Sequence, residues 1–278
     1  VKRLLLALIL VSGCTPHISN HIKYFGYARA GDDAASIAAT ASFTNVATVE
    51  AMTCDSGCPA QFAAARAGKV KMIVELRQIF YDPQGDLWPN YQARWAHVQT
   101  YVTPNLDITL GFFMNEPTQH GVSAANLATA CNLVKATYPS TLLGVDEAYP
   151  HVGDVVIPAS VDLVGFDRYG VRDPNTDASY VAQYNTIAAR RSTPTQKMFV
   201  VMDAWWVQQI HGAAGLSLSD MVAVANNYAV FANARPEVLS LVAFVWPPLS
   251  DIPQATTSVS RPDWVAEHSK IGKGITGK

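Results

Sequence analysis

Eight short apolar runs, each followed by a helical pattern or a polar connection, recur along this chain, and no other feature limits its fold so strongly. They are His21–Tyr27, Val46–Ala51, Val70–Leu76, Ile108–Met114, Leu142–Val145, Val161–Phe166, Met198–Met202 and Leu239–Trp246. Most are rich in Val, Ile, Leu or Phe and apolar on both faces, the pattern of strands covered on two sides. Helical patterns lie at Asp33–Ala41, Pro59–Ala67, Tyr91–Val102, Ala124–Ala136, Ala178–Ala189, Ser217–Asn233 and Arg261–Ser269. The segment Asp154–Ser160, between the fifth and sixth strands, has room for no more than about two helical turns. This alternation predicts an α/β chain built as a single (β/α)8 TIM barrel over residues 21–278. An open doubly wound sheet is the alternative, but Gly26-Tyr27-Ala28-Arg29-Ala30-Gly31 lacks the G-x-G-x-x-G spacing after the first strand.

The 17 glycines and 16 prolines are scattered, so no linker divides the chain. A formal net charge of -2, with no run rich in Lys or Arg, removes the electrostatic basis for a nucleic-acid partner. A monomer is expected.

Val1-Lys2-Arg3 followed by Leu4 to Val11 forms a basic and then an apolar segment too short to span a bilayer, the pattern of an export signal. Val11-Ser12-Gly13-Cys14 resembles the bacterial lipobox. That resemblance implies a signal over residues 1–13, lipidation of Cys14 and a short tether over 14–20. The expected location is the bacterial envelope, at the outer membrane because Thr15 rather than Asp follows the Cys. Membrane contact is expected through this lipid anchor only. The alternative is a plain secretory signal that happens to contain a Cys.

An exported compartment permits disulfides. Cys54 and Cys58 flank the turn sequence Asp55-Ser56-Gly57, so a small bridged loop is expected, whereas Cys131, within a helical pattern, reads as a buried free thiol.

The residues at the strand ends carry the functional reading, because a barrel of this kind keeps its chemistry at the C-terminal mouth. In order they are Arg29, Glu50, Glu75 with Arg77, Asn115 with Glu116, Asp146 with Glu147, Asp167 with Tyr169, Asp203 with Trp205 and Trp206, and Trp246. Carboxylates beside aromatics suit a hydroxyl-rich substrate: aromatic faces stack on sugar C–H faces, while Asp, Asn and Arg exchange hydrogen bonds with hydroxyls. A carbohydrate is therefore the expected partner. Asn115-Glu116 at the end of the fourth strand resembles the acid/base motif of the clan of retaining glycoside hydrolases on this barrel, which includes many cellulases, mannanases and xylosidases.

The resemblance implies that Glu116 is the general acid/base and that Asn115 hydrogen-bonds the sugar 2-hydroxyl. It also implies that Tyr169 orients the nucleophile and that Trp246 floors the sugar subsite. The clan's nucleophile is a Glu at strand seven, where this chain has Asp203, one methylene shorter. Asp203 is expected to attack, or to hold a water for inversion; the alternatives are a carboxylate bound to Arg29 or Arg77, or loss of hydrolytic activity. Asp167 and Glu147 are the other candidate carboxylates, and Trp205 a candidate for stacking on sugar.

His120, His151 and His211 lie in loops after strands four, five and seven, but no H-x-H or H-E-x-x-H spacing accompanies them, so no metal or other cofactor is expected. The competing class is a non-catalytic glycan-binding or adhesion lipoprotein with a degenerate hydrolase barrel.

Overall fold

A strand that is apolar on both sides is stable only where both sides are covered, and eight such strands achieve this by closing on one another. The computed structural model describes residues 21–54 and 56–278. The expected signal, the tether and Cys14 lie outside the described residues. The strands are β1 Tyr24–Tyr27, β2 Val46–Glu50, β3 Lys71–Glu75, β4 Thr109–Asn115, β5 Leu142–Ala148, β6 Leu163–Asp167, β7 Lys197–Asp203 and β8 Val238–Phe244. All pairs are parallel, neighbours follow chain order, and β8 pairs with β1 to close the barrel. The predicted single (β/α)8 barrel is the fold.

The helices are α1 Ala34–Thr40, α2 Pro59–Gly68, α3 Arg77–Phe80, α4 Tyr91–Val102, α5 Ala124–Thr137, α6 Ala178–Ala189, α7 Met221–Asn233 and α8 Pro262–Thr276. Their starts are set by local chemistry. Asp33, Ser123 and Asp177 accept hydrogen bonds from Ser36, Asn126 and Tyr180 backbone N–H groups, satisfying donors that a helix leaves open. A capping box from Ser217 to Asp220 opens with a 3-10 turn, which is why α7 begins at Met221 rather than at Ser217. Between β5 and β6 only a 3-10 turn, His151–Gly153, is formed.

α8 runs further than the sequence pattern suggested, because Ile271 is buried and Gly272 lies against the first strand-helix unit. A Cβ at Gly272 would come within 2.3 Å of the Phe43 carbonyl oxygen. At its other end α8 is tied to β1 by a buried 2.7 Å hydrogen bond between the Tyr27 hydroxyl and His268 Nδ1. Burial pushes His268 down to about 4, so the imidazole is neutral.

Between strands and helices the core is aromatic. Trp95 meets Phe112 edge-on at 5.5 Å, Phe112 stacks on Tyr138 at 5.5 Å, and Tyr180 packs against Phe166 at 5.1 Å. Cys54 and Cys58 are bridged, and Cys131 is a buried free thiol. Trp205–Trp206 pairs antiparallel with Thr256–Thr257 above the rim. No helix among the described residues is long and apolar enough to cross a membrane.

Candidate active site

Side chains of a strand alternate between its faces, so one parity of each barrel strand faces the axis. On β4 this is Gly111, Phe113 and Asn115; on β5 Leu142, Gly144 and Asp146; on β6 Leu163 and Asp167. These residues line a cavity of about 470 Å³ that opens at the C-terminal ends of the strands. The register sets Asn115 beside Asp146 and Ala148 beside Asp167, so the carboxylates of adjacent strands converge on one side of the mouth.

Glu116 follows β4 with φ 47, the left-handed region, while its N–H donates to the Asp146 carbonyl at 2.7 Å. This turn brings the side chain to the cavity. Glu147, on the opposite parity from Asp146, is fully buried and faces away from it. Its carboxylate accepts from Thr118 N at 2.8 Å, Gln119 N at 3.1 Å and Ala148 N at 3.0 Å. Glu147 thus fastens the turn that carries Glu116 and does not line the mouth.

Glu116 and Asp167 lie side by side at the mouth, and each shifts the ionisation of the other. Burial and the Glu116 charge push Asp167 up to about 7, against the opposing effect of the nearby Tyr169 hydroxyl. Burial also raises Glu116, and Glu147 adds to the effect. Asp146, buried beneath the pair, is raised well above the carboxylate range by burial and by Asp167, Glu116 and Glu147. Its Oδ1 has no hydrogen-bond partner among the described residues. The two carboxyls titrate as a unit, both raised above the ordinary carboxylate range. His120 Nε2 stands 3.4 Å from Glu116 Oε2, and burial followed by repulsion from Arg77 lowers the imidazole.

A second group of charges faces this pair from β1 to β3. Arg29 lies 3.2 Å from Glu50 and 2.9 Å from Asp32. Glu75 is pushed up to about 7, chiefly by burial, and accepts from Arg77 N at 2.7 Å. Arg77 and Asp251 complete the rim.

Asp203 does not reach the cavity. It is fully buried, both its oxygens lie 3.0 Å from His211 Nε2, and it accepts from Gly170 N at 2.8 Å. Neither Arg29 nor Arg77 is its partner: the histidine four residues beyond Val207 takes that place. Trp246 is likewise absent from the lining; it is 5% exposed and packs edge-on against Tyr27 at 4.9 Å. Trp205 and Tyr169 do line the cavity, together with Phe244. Tyr169 lies 5.4 Å from Trp205 and 5.1 Å from Phe244, giving an aromatic wall beside Asp167. Phe244 was not singled out from sequence, although the alternation Ser240, Val242, Phe244 marks it as the last inward position of β8. Among the described residues no group of three or more His, Cys, Asp or Glu side chains is arranged to hold a metal ion.

No family model and no curated protein matches the sequence. Solved structures do match the fold. One is the GH113 β-mannanase AaManA of Alicyclobacillus acidocaldarius in complex with ManMIm, with a TM-score of 0.60 at 13% identity over 92% of this chain and 97% of that chain. A GH113 β-1,4-mannanase complex superposes with a TM-score of 0.58 at 10% identity over 91% of this chain and 98% of that one. Gas2p of Saccharomyces cerevisiae, bound to laminaritetraose and laminaripentaose, gives 0.52 at 12% identity over 92% of this chain but only 64% of the yeast chain. At these identities the likeness is one of fold.

Proposed function

We propose that the protein is a glycoside hydrolase cleaving O-glycosidic bonds of a carbohydrate substrate, with Glu116 as general acid/base and Asp167 as the second carboxylate. The observation that carries this reading is the convergence of Glu116 and Asp167 on the mouth of the cavity, where burial raises both carboxyls. Glycoside cleavage needs one carboxyl group protonated to assist the leaving oxygen and one ionised to attack or to activate water. Two interacting carboxyls with raised, mutually dependent ionisation can supply both forms. The course proposed is the covalent, retaining one. In that course Glu116 gives its proton to the leaving oxygen as Asp167 attacks the anomeric carbon. Water then breaks the acyl-type ester, returning its proton to Glu116.

The carbohydrate named in the matched structures, laminari-oligosaccharide in one, supports the substrate class. Tyr169 and Phe244, backed by the buried Trp205, offer ring surface to a sugar beside Asp167. Asn115 is proposed to bind a sugar hydroxyl from the neighbouring strand. Export and lipid anchoring through Cys14 are proposed on the order of charged, apolar and small residues before it.

The burial of Asp203 favours one other reading, a glycan-binding protein without turnover, because the strand-seven carboxylate is withdrawn from the cavity. A screen of α- and β-linked glycosides for new reducing ends, run beside glycan binding, separates the two. Turnover lost in both Glu116→Gln and Asp167→Asn supports hydrolysis. Binding without turnover in the wild type replaces it with the second reading.

A further inference from the structure

The interior of a (β/α)8 barrel is normally filled by stacked layers of side chains and is a packed core rather than a pore. Here the cavity does not stop at the carboxylates. It continues down the axis to Leu142, the first residue of β5, four residues below Asp146. At about 3.3 Å per residue this is roughly 13 Å of strand. At Gly144, an inward position on this side, no side chain fills the axis, and a Cβ there would meet nothing closer than 3.4 Å. As a result Ile73, Phe113, Leu142, Phe199, Val242 and Phe244 all line the cavity and keep part of their surface accessible, although they sit inside the barrel.

This shaft has the wrong chemistry for sugar. Each hydroxyl of a buried sugar ring needs a hydrogen-bond partner, and below the carboxylates the side chains that offer one are Thr48 and Ser240. The Thr48 hydroxyl already accepts from Arg29 N at 2.8 Å. Water is also a poor occupant, since a site lined by aliphatic and aromatic groups gives it too few partners, and such cavities take up apolar molecules instead. Burial of apolar surface on both sides then favours a hydrocarbon.

We infer that the barrel shaft is a binding site for an apolar group, an alkyl or aryl aglycone whose glycosidic oxygen would lie at the Glu116–Asp167 pair while its hydrocarbon passes between Phe113, Val242 and Phe199. The inference rests on the proposed hydrolase reading for the placement of the glycosidic oxygen. The apolar site itself stands on the cavity alone. The substrate class is accordingly a glycoside with a hydrophobic aglycone.

The test uses n-butanol, n-hexanol and n-octanol as probes, with affinity measured calorimetrically on the full chain. Affinity is expected to rise roughly four-fold per methylene, as for a chain transferred from water into an apolar environment. Val242→Phe, which places a ring in the shaft, should abolish octanol binding. Val242→Thr keeps the shape and adds a hydroxyl; it should weaken octanol by roughly four-fold or more and serves if the Phe variant fails to fold. A flat series in the wild type overturns the inference. So does an octanol affinity unchanged from wild type in either folded Val242 variant, because the chain then binds elsewhere. A steep, Val242-dependent series without turnover of any glycoside supports the shaft and sinks the hydrolase reading. Turnover with a flat series sinks the shaft and leaves the hydrolase standing.

Discussion

Asp203 and His211 form a closed pair inside the protein: both carboxylate oxygens lie 3.0 Å from Nε2, and neither side chain is exposed. Asp203 also accepts from the N–H of Gly170, the residue after Tyr169, so the pair fixes the loop that brings the Tyr169 hydroxyl to Asp167. Removing one member of such a pair leaves the other buried without its partner, at a cost of about 3 kcal/mol or more. Asp203→Ala should lower Tm by roughly 6–12 °C in a chain of this size. Turnover measured well below the transition should fall far less than in Asp167→Asn. A variant that keeps the wild-type Tm and loses all turnover would instead return Asp203 to the catalytic role read from sequence.

Glu116→Gln keeps the shape of the side chain and removes its acid. Turnover of a glycoside with a poor leaving group should drop roughly 10²-fold or more, the usual contribution of general acid catalysis. A nitrophenyl glycoside, whose leaving group needs little protonation, should suffer much less. Parallel steady-state kinetics on both substrates measure the difference, and equal losses would make Glu116 a structural residue.

Stability should increase on mild acidification. Asp167 and Glu75 are both pushed up to about 7 in the fold, so between the ordinary carboxylate value near 4 and pH 7 the folded state binds more protons than the unfolded one. A carboxyl raised in this way contributes stability that is present below its unfolded value and is lost as pH rises through its folded value. Across that window each carboxyl contributes on the order of 3 kcal/mol, and the buried His268, held down to about 4, offsets about as much as one of them, so the net expected loss is on the order of 3 kcal/mol, or several degrees in Tm. Thermal melts from pH 4.5 to 8 should trace it. Asp167→Asn should flatten the curve, and an unchanged slope in that variant would sink the assignment.

Cys14 is the proposed lipid attachment point. Cells fed a labelled fatty acid should transfer label to the wild type and not to Cys14→Ser, which should leave a soluble protein or an uncleaved precursor. An unlabelled wild type ends the anchor proposal.

All eight strands are legible because each is covered on two faces and so reads as a largely apolar run; Val46–Glu50 and Leu163–Asp167 differ from the sequence reading by a residue or two at their ends, while Tyr24–Tyr27 starts three residues later and Leu142–Ala148 runs three residues further. α3 is not, since four residues carry too little periodicity to register. Within the site, Asn115, Glu116, Asp167, Tyr169 and Trp205 all line the cavity as their positions at strand ends suggested. Glu147 and Trp246 do not. Alternation already separates Asp146 from Glu147 once the inward parity of β5 is known, but that parity depends on which neighbours the strand has, and a doubly apolar run does not show it. The pairing of Asp203 with His211 was beyond reach for another reason: it depends on how an irregular loop folds back over eight residues, and a formal charge pattern gives arginine as good a claim as histidine.

The backbone at Glu116 has one more consequence. A branched-free but full-sized side chain at φ 47 sits where L-residues other than Gly and Asn are disfavoured by roughly 1 kcal/mol. Its carboxyl is crowded besides by Asp167 and Asp146. Glu116→Asn relieves the first tension and removes the ionisable member of the second, so the catalytically silent protein should be the hardier one. For anyone wishing to watch an uncleaved glycoside in place, the variant that spares the ligand is also the variant that best withstands long incubation, heat and crystallisation.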